Sequence, residues 1–235
     1  MTRVVVHIST VDDALLSGSD RVLDAAEREQ ARRFLRSADG RLFSAGRVQR
    51  RLVLGRYLGI DPSRLEFTLT DLGKPLLAGP NKDALNFNTS QSSGFVAIAV
   101  ALERRVDVGV DIENVNRRVT ETLARSCLTK TEQMWLDSLP HHYRDDGFIR
   151  LWTCKEAILK ASGHGLRIDP RSIELDPQRL SILHLPNDLG SPARYRLQAD
   201  TVGEAIRIAA CIITSSEDLL ELEVHSDDPR KEHRH

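Results

Sequence analysis

The spacing of apolar residues in the first hundred positions predicts one strand, two helices and then a series of strands. Val4–Ile8 is a mostly apolar run typical of an opening strand. Asp20–Phe34 carries apolar residues at helical spacing, and so does the segment from Asp39-Gly40 to about Leu58, which Gly59 and Asp61-Pro62 end. Four short runs typical of strands follow: Leu65–Leu69, Ala84–Asn88, Phe95–Ala101 and Asp107–Asp111.

The second half of the chain repeats the order of helices followed by strands. Thr129 and Glu132 have the spacing of a capping box, which predicts a helix that begins at Thr129 and ends before Pro140. A further helix is predicted from about Asp146 to Ser162, because Gly163-His164-Gly165 is a suitable C-terminal cap. The strands expected after it are Ile173–Leu175, Ala193–Gln198 and Ala205–Ile213. This order indicates an α+β protein and is compatible with a duplication, although no repeat is visible in the residues themselves.

The chain has 235 residues, which is enough for one large domain or for two halves. We place the boundary near Arg104-Arg105, so that the N-terminal half is 1–105 and the C-terminal half is 106–224. Residues 225–235 are charged and lack apolar anchors, and we therefore expect them to form a frayed tail.

Composition is that of an ordinary soluble globular protein and argues against several classes of function. The 33 basic and 34 acidic residues nearly balance, so the overall charge gives no support for binding to nucleic acid or to an anionic membrane. No apolar run approaches the roughly eighteen residues that a membrane-spanning helix needs, and the N-terminal apolar stretch is too short for a signal peptide. The 3 cysteines form no CxxC pair, which predicts reduced thiols in a cytoplasmic protein and no thiolate zinc site.

One segment of the chain, residues 28–56, is strongly basic. Its only acids are Glu29 and Asp39. Its arginines are Arg28, Arg32, Arg33, Arg36, Arg41, Arg47, Arg50, Arg51 and Arg56. An arginine-rich helix most often solvates a surface, and we favour that interpretation; a phosphate-rich small ligand and an acidic protein partner are the alternatives.

Two short motifs carry most of the chemical information. In Val108–Glu113 an apolar run leads into Asp111 and Glu113, which as i, i+2 residues of a strand project from the same face. In the second motif Trp152, Glu156 and Lys160 are spaced i, i+4, i+8 and form one stripe on a helix. If the strand and the helix pack together, three carboxylates and a lysine converge. Such an oxygen-rich cluster suits Mg²⁺ held by carboxylates and by phosphate oxygens of a substrate.

Some neighbouring residues have a simpler interpretation. We interpret Trp152 as a packing residue that fits the helix against the sheet. Lys155 projects about 100° away from Glu156 on the helix, so we favour a surface or structural charge over a ligand contact. Gly73-Lys74-Pro75 is not a phosphate-cradling P-loop, because no glycine precedes Gly73 by five residues and Pro75 replaces the required Ser or Thr.

These motifs resemble those of a known family. The chain resembles the 4′-phosphopantetheinyl transferases of the surfactin-synthetase-activating type from Arg32-Arg33-Phe34 to about Ile173. The matching elements are Gly73-Lys74-Pro75, Phe87-Asn88-Thr89-Ser90, Gly109–Glu113 and the helix motif with Trp152, Lys155, Glu156, Ala157, Lys160, Gly163, Gly165 and Leu166. The resemblance implies a monomer with a pseudo-twofold fold of two similar α/β halves and with coenzyme A in the cleft between them. It also implies a Mg²⁺-dependent transfer of the phosphopantetheine arm of coenzyme A to a serine of an apo acyl or peptidyl carrier protein, with release of adenosine 3′,5′-bisphosphate.

The resemblance also suggests roles for individual residues. The residues expected around Mg²⁺ are Asp111, Glu113 and Glu156, with Lys160 beside the same phosphates. Lys74 and the Ser90-Gln91 turn are expected at the nucleotide end, especially at the 3′-phosphate, and Arg47 is the arginine that we expect to bind phosphate. Glu156 could serve as the base for the attacking serine or only as a metal ligand, and the sequence does not separate these roles. The relatives that the chain resembles usually have His where this chain has Gln91, so we expect weaker binding of the 3′-phosphate.

Two other functions are compatible with parts of the pattern. A non-catalytic coenzyme A-binding relative would keep the cleft without turnover. An unrelated Mg²⁺-dependent phosphohydrolase would need only the acidic cluster, and it would not explain the Lys-Glu helix or its Gly-x-Gly-Leu end. The kind of carrier protein is not specified, although length and motif style suit the broad-specificity enzymes of secondary metabolism.

Overall fold

The computed structural model describes residues 2–103, 106–215 and 219–226. The helices are α1 (Asp13–Leu16), α2 (Ser19–Val22), α3 (Ala25–Arg32), α4 (Ser37–Leu58), α5 (Glu121–Cys127), α6 (Lys130–Ser138) and α7 (His141–Ser162). The strands are β1 (Thr2–Thr10), β2 (Phe67–Leu69), β3 (Pro75–Leu77), β4 (Asn86–Ser92), β5 (Phe95–Ala101), β6 (Asp107–Asn114), β7 (Glu174–Leu175), β8 (Ile182–His184), β9 (Tyr195–Val202), β10 (Ile206–Ile213) and β11 (Leu220–Ser226).

Two sheets, which share the same order for three of their strands, form the centre of the molecule. In the first sheet β5 lies between β1 and β4, and in the second sheet β10 lies between β6 and β9; all four pairings are antiparallel. Each sheet belongs to a unit in which a 22-residue helix ends at a glycine in the left-handed region, Gly59 in α4 and Gly163 in α7. A small hairpin follows each helix, β2–β3 in one unit and β7–β8 in the other. The predicted α+β class with two duplicated halves is therefore confirmed, and the duplication is visible in topology rather than in sequence.

The apolar core has three layers, which follow from the period of two along the strands. Val96, Ile98 and Val100 of β5 pack with α4, whereas Ala97 and Ala99 face the other way. The middle layer joins the two sheets and includes Val108, Val110 and Ile112 of β6. The third layer packs α5, α6 and α7 against the second sheet. Asp111 and Glu113 alternate with the middle-layer residues and thus share the face of β6 that meets α7.

Strand β6 and helix α7 lie unusually close together at Gly109. A Cβ on this residue would come within 2.2 Å of the carbonyl oxygen of Ala157 and of the amide nitrogen of Ala161. Only glycine fits between these backbones, since real Cβ contacts of this kind begin well above that distance. The glycine that precedes Asp111 therefore fixes the distance between the two motifs.

The first predicted helix is not continuous in the structure, so this prediction is wrong. Residues 20–34 are divided between α2 and α3, because Leu23 adopts an extended backbone and Asp24 caps α3 in a capping box with Glu27. Asp24 and Glu27 have the spacing of a capping box, so the start of a new helix after Asp24 could have been predicted from the sequence. Helix α4 begins at Ser37, before the predicted start, and α7 begins directly after Pro140.

The last strand, β11, was not predicted, and it places the C-terminal segment 220–226 in the first sheet. β11 pairs in parallel with β1, on the edge of the first sheet, from Leu220 opposite Thr2 to Ser226 opposite Ile8. The predicted frayed tail is wrong for residues 225 and 226, which belong to this strand. The rest of that tail, and the predicted boundary at 104–105, lie outside the described residues.

Candidate active site

Three of the predicted site residues form one hydrogen-bonded group where the two halves meet. Lys160 of α7 donates from Nζ to Asp111 Oδ1 at 2.6 Å and to Ser90 Oγ at 3.0 Å. Ser90 of β4 in turn donates to Asp111 Oδ1 at 2.9 Å. The group thus draws one residue from each of β4, β6 and α7, which confirms that the strand motif and the helix motif pack together.

The second oxygen of Asp111 is left without a partner. Its side chain is 7% exposed, and within the described ranges Oδ2 accepts no hydrogen bond. Burial raises the pKa of Asp111 above its ordinary value, against the lowering effect of Lys160 and Ser90. A buried carboxylate oxygen with no donor is costly unless a ligand or cation satisfies it. Asp111 Oδ2 is therefore the clearest open coordination position of the site.

Glu113 lies two residues along the same strand face and is held by three donors. Ser92 Oγ donates to Oε2 at 2.9 Å and Trp152 Nε1 donates to Oε1 at 3.2 Å. Arg117 pairs with Oε1 at 2.5 Å. Trp152 also stacks on Phe148, with ring centroids 6.2 Å apart, so the predicted packing role is correct but incomplete. Ser92 could have been found from its i, i+2 relation to Ser90, whereas Arg117 follows the strand and has no such signal.

Glu156 is half-buried one helical turn before Lys160. Its carboxylate makes no hydrogen bond or ion pair with the residues that the structure describes. Burial raises the pKa of Glu156 to about 6; Lys160 opposes this shift, and the charges of Asp111 and Glu113 add to it. These electrostatic couplings put Glu156 in the same charged neighbourhood as the other two carboxylates. A carboxyl with this pKa is suited to accept a proton near neutral pH.

The three carboxylates are not assembled into a ligand shell. Across the described ranges, no group of three or more His, Cys, Asp and Glu side chains has a geometry that could hold a metal ion. Asp111 and Glu156 nevertheless present oxygens without donors, and hard divalent cations such as Mg²⁺ prefer oxygen ligands. The residues present therefore fit Mg²⁺, and the ligand set of Asp111, Glu113 and Glu156 stays a prediction.

The residues predicted at the nucleotide end lie on both sides of β4. Ser90 faces β6, but Gln91 faces α4, where its Nε2 lies 1.7 Å from the point that a Cβ on residue 46 would occupy. A Cβ at residue 46 would therefore displace the end of the Gln91 side chain, and Arg47 follows Gly46 directly. Ser90 and Gln91 belong to a strand, so the predicted turn at this position is wrong.

Arg47 and Lys74 are cations in partly buried positions. The Arg47 guanidinium lies 4.7 Å from the ring centroid of Phe43, and burial lowers the pKa of Arg47. Lys74 Nζ donates to the carbonyl oxygen of Ala161 at 3.1 Å, at the C-terminal end of α7, and burial lowers its pKa as well. Lys74 therefore reaches the helix turn that carries Lys160, while Arg47 lies on the α4 side.

Lys155 is a structural residue and lies in the interior of the protein. Its side chain is 0% exposed and pairs with Glu132 at 2.5 Å. It also donates to the carbonyl oxygens of Cys127 and Pro170, each at 3.0 Å. All three ammonium protons are thus used: they join α7 to α5, to α6 and to the segment that follows α7. Of the two interpretations favoured from sequence, the structural charge is correct and the surface charge is wrong.

The arginine-rich segment is also partly internal. Arg51 is buried and donates to Glu27, Asp24 and two backbone carbonyl oxygens. Arg50 pairs with Glu27 at 2.7 Å, and its guanidinium lies 3.8 Å from the ring centroid of Phe67. The expectation of a solvated surface is wrong for these two arginines, because α3 brings acids over α4.

Comparison with known proteins agrees with this arrangement of two halves around one site. Residues 107–211 match the model of the 4′-phosphopantetheinyl transferase superfamily, and residues 13–103 match the model of the 4′-phosphopantetheinyl transferase N-terminal region. Together the two models cover most of the chain, so the protein belongs to the 4′-phosphopantetheinyl transferase superfamily and is an enzyme of that class.

Particular relatives lie at moderate identity. The chain is 36% identical over 158 residues to the 4′-phosphopantetheinyl transferase HetI of Nostoc, a match that covers 66% of each chain. It is 28% identical over 195 residues to the 4′-phosphopantetheinyl transferase Sfp of Bacillus subtilis, which covers 82% of this chain and 84% of that protein. A third relative, the mouse L-aminoadipate-semialdehyde dehydrogenase-phosphopantetheinyl transferase, is 29% identical over 175 residues, or 55% of its length. Among the described residues, no helix has the length and apolar character needed to cross a membrane.

Proposed function

We propose that this protein transfers the 4′-phosphopantetheine arm of coenzyme A to a serine hydroxyl of an apo acyl or peptidyl carrier protein, in a Mg²⁺-dependent reaction. The observation that carries the proposal is the contact between the halves, where Lys160 and Ser90 hold Asp111 and leave its Oδ2 without a donor among the described residues, with Glu156 electrostatically coupled to Asp111. The membership in the transferase superfamily supplies the class of reaction.

Asp111, Glu113 and Glu156 are the residues proposed to hold Mg²⁺, with Asp111 Oδ2 as the first ligand. The bound cation would neutralise the diphosphate of coenzyme A and help to orient it. Lys160 adds a fixed positive charge at the same place, since its ammonium group is already held by Asp111 and Ser90. A preorganised charge of this kind stabilises the leaving phosphate without reorganisation during the reaction.

The proton of the attacking serine needs an acceptor, and we assign it to Glu156. Burial raises the pKa of this carboxyl to about 6 in the cation-free site, and Glu156 lies one helical turn before Lys160, in the charged group where the substrate phosphates are proposed to bind. The serine oxygen forms a bond to the phosphorus of the pantetheine phosphate, and the bond from that phosphorus to the bridging oxygen breaks. Adenosine 3′,5′-bisphosphate leaves with the electron pair, and the proton resides on Glu156 until solvent removes it.

The nucleotide end is assigned to Arg47, Lys74, Ser90 and Gln91. Arg47 forms no salt bridge with the described acidic residues, and its half-buried guanidinium, which lies over the Phe43 ring, is suited to bind phosphate. Gln91 lies against Gly46, next to Arg47, and would donate a neutral hydrogen bond at a position where the resemblance leads us to expect a histidine.

The chain is proposed to be of the surfactin-synthetase-activating type, acting as a monomer with halves at 1–105 and 106–224. The match to Sfp over 84% of that protein supports this subtype. The name of the mouse relative indicates a dehydrogenase as a second class of carrier substrate, and a panel of carriers distinguishes the two.

The proposed function is tested with several apo carrier proteins, coenzyme A and Mg²⁺. Mass spectrometry should show the added arm on a serine, and chromatography should show equimolar adenosine 3′,5′-bisphosphate. Asp111→Ala, Glu113→Ala and Glu156→Ala should each nearly abolish transfer. Glu121→Ala, an exposed acidic residue of α5, is the matched control and should keep full activity. Binding of coenzyme A without product would indicate a non-catalytic relative, and product without carrier would indicate a phosphohydrolase.

A further inference from the structure

The environment of Glu113 contains more donors than an open metal ligand needs. Its carboxylate accepts from Ser92 on one oxygen and from Trp152 and Arg117 on the other. A carboxylate offers about four lone-pair positions, so one position, on Oε2, remains. The Arg117 guanidinium already balances the negative charge of Glu113. By contrast, Oδ2 of the neighbouring Asp111 has no hydrogen-bond partner among the described residues.

The three donors differ in how firmly they are held. Ser92 ends strand β4, and Trp152 lies in the middle of the 22-residue helix α7, stacked on Phe148. Arg117 instead lies between β6 and α5, in a segment without helix or strand, and its side chain is 39% exposed. An exposed guanidinium on such a segment can leave its partner at little cost.

We propose that Arg117 and the divalent cation are alternative partners of the Glu113 carboxylate, while Ser92 and Trp152 hold that carboxylate in both states. The proposal rests on the Mg²⁺ requirement of the proposed function. A guanidinium bound to Glu113 repels a dication at Asp111, and a dication in turn satisfies the charge that Arg117 balances in its absence. The exchange agrees with the pairing of Glu113 with Arg117 among the described residues. It also makes Arg117 a positioning residue that links cation binding to residues 115–120.

The test measures cation affinity directly, without coenzyme A. Mn²⁺ is the probe, since it binds oxygen ligands and its free form is counted by electron paramagnetic resonance. Arg117→Gln should bind Mn²⁺ about two- to five-fold more tightly than the unmodified protein, because Arg117 no longer competes with the cation for the Glu113 carboxylate. Arg118→Gln is the matched control: it removes the next arginine, which pairs with Asp145 at 3.5 Å and is 91% exposed, and affinity should not change.

A second experiment measures the fluorescence of Trp152, the indole that donates to Glu113. The chain has 2 tryptophans, so Trp135→Phe leaves Trp152 as the only indole. Mg²⁺ should change its fluorescence in a saturable way, and the midpoint should move to lower Mg²⁺ when Arg117→Gln is added.

The outcomes separate the exchange from the proposed function. If the unmodified protein binds Mn²⁺ and Arg117→Gln binds it equally or more weakly, the exchange is wrong while the cation site stands. If neither protein binds Mn²⁺, with or without coenzyme A, the cation assignment itself is wrong and the exchange with it. Equal tightening by Arg118→Gln would show a general charge effect and would also overturn the exchange.

Discussion

The interior position of Lys155 leads to a prediction that separates fold from chemistry within one motif. Lys155 and Glu156 are adjacent, yet the first is 0% exposed and fully bonded, and the second faces the candidate site. Lys155→Met keeps most of the side-chain volume and removes the charge. We expect it to destabilise the protein by about 3–5 kcal/mol, since the Glu132 carboxylate is then buried without its counter-ion.

A second substitution, at Glu132, shows how much of this loss of stability comes from the unpaired carboxylate. Glu132 also accepts from the backbone amides of Thr129 and Leu175. In the double variant Lys155→Met/Glu132→Gln no unpaired charge remains, but one of these two amides loses its acceptor. Leaving one buried donor unsatisfied costs about 1–3 kcal/mol, so the double variant should be more stable than Lys155→Met alone. A second substitution that restores stability is the signature of an ion pair with a structural role.

The assay is urea denaturation followed by tryptophan fluorescence, together with transfer activity at a urea concentration where each variant is folded. Lys130→Met, at an exposed lysine of α6, is the control and should change stability by no more than about 0.5 kcal/mol. The folded fraction of Lys155→Met should keep its activity. Full stability with lost transfer would refute the structural assignment and would place Lys155 at the substrate.

Three further predictions concern the site. Because the pKa of Glu156 is raised to about 6, the stability linked to its protonated form is complete below the ordinary pKa of 4.5 and is lost as pH rises through about 6. Glu156→Gln should thus be inactive but up to about 2 kcal/mol more stable at pH 8, with no gain at pH 4 in urea melts. Lys160→Met should lower kcat more than it raises the KM for coenzyme A in steady-state kinetics, and an effect on KM alone would limit Lys160 to ground-state binding. Gln91→His should tighten coenzyme A about five-fold below pH 7 by calorimetry and leave 3′-dephospho-coenzyme A nearly unchanged, whereas equal gains would show that residue 91 does not face the 3′-phosphate.

The elements that could be predicted are those whose signal is local. Strand Phe95–Ala101 has the predicted bounds because it is a continuous apolar run, and the capping box of Thr129 and Glu132 starts α6 as expected. The shared face of Asp111 and Glu113 follows from the period of two alone. Strand β11 could not be placed, because its partner β1 is more than two hundred residues away in the chain. The burial of Lys155 likewise depends on Glu132, 23 residues earlier, and on packing that no local pattern records.

The contact between the halves explains why the site lies at β4 and β6. These strands run side by side, yet side chains replace the usual backbone ladder between them: Asn88 Oδ1 accepts from the amide of Val110, and Ser90 Oγ accepts from the amide of Ile112. Alternate residues of β4 therefore satisfy the backbone of β6, and the same Ser90 hydroxyl orients Asp111. A continuous sheet would use these amides in backbone pairing and would leave no polar side chains between the halves. The duplicated fold thus creates a polar seam at its own midline, and α7 supplies the lysine and the carboxylate that turn this seam into a site for an anionic substrate.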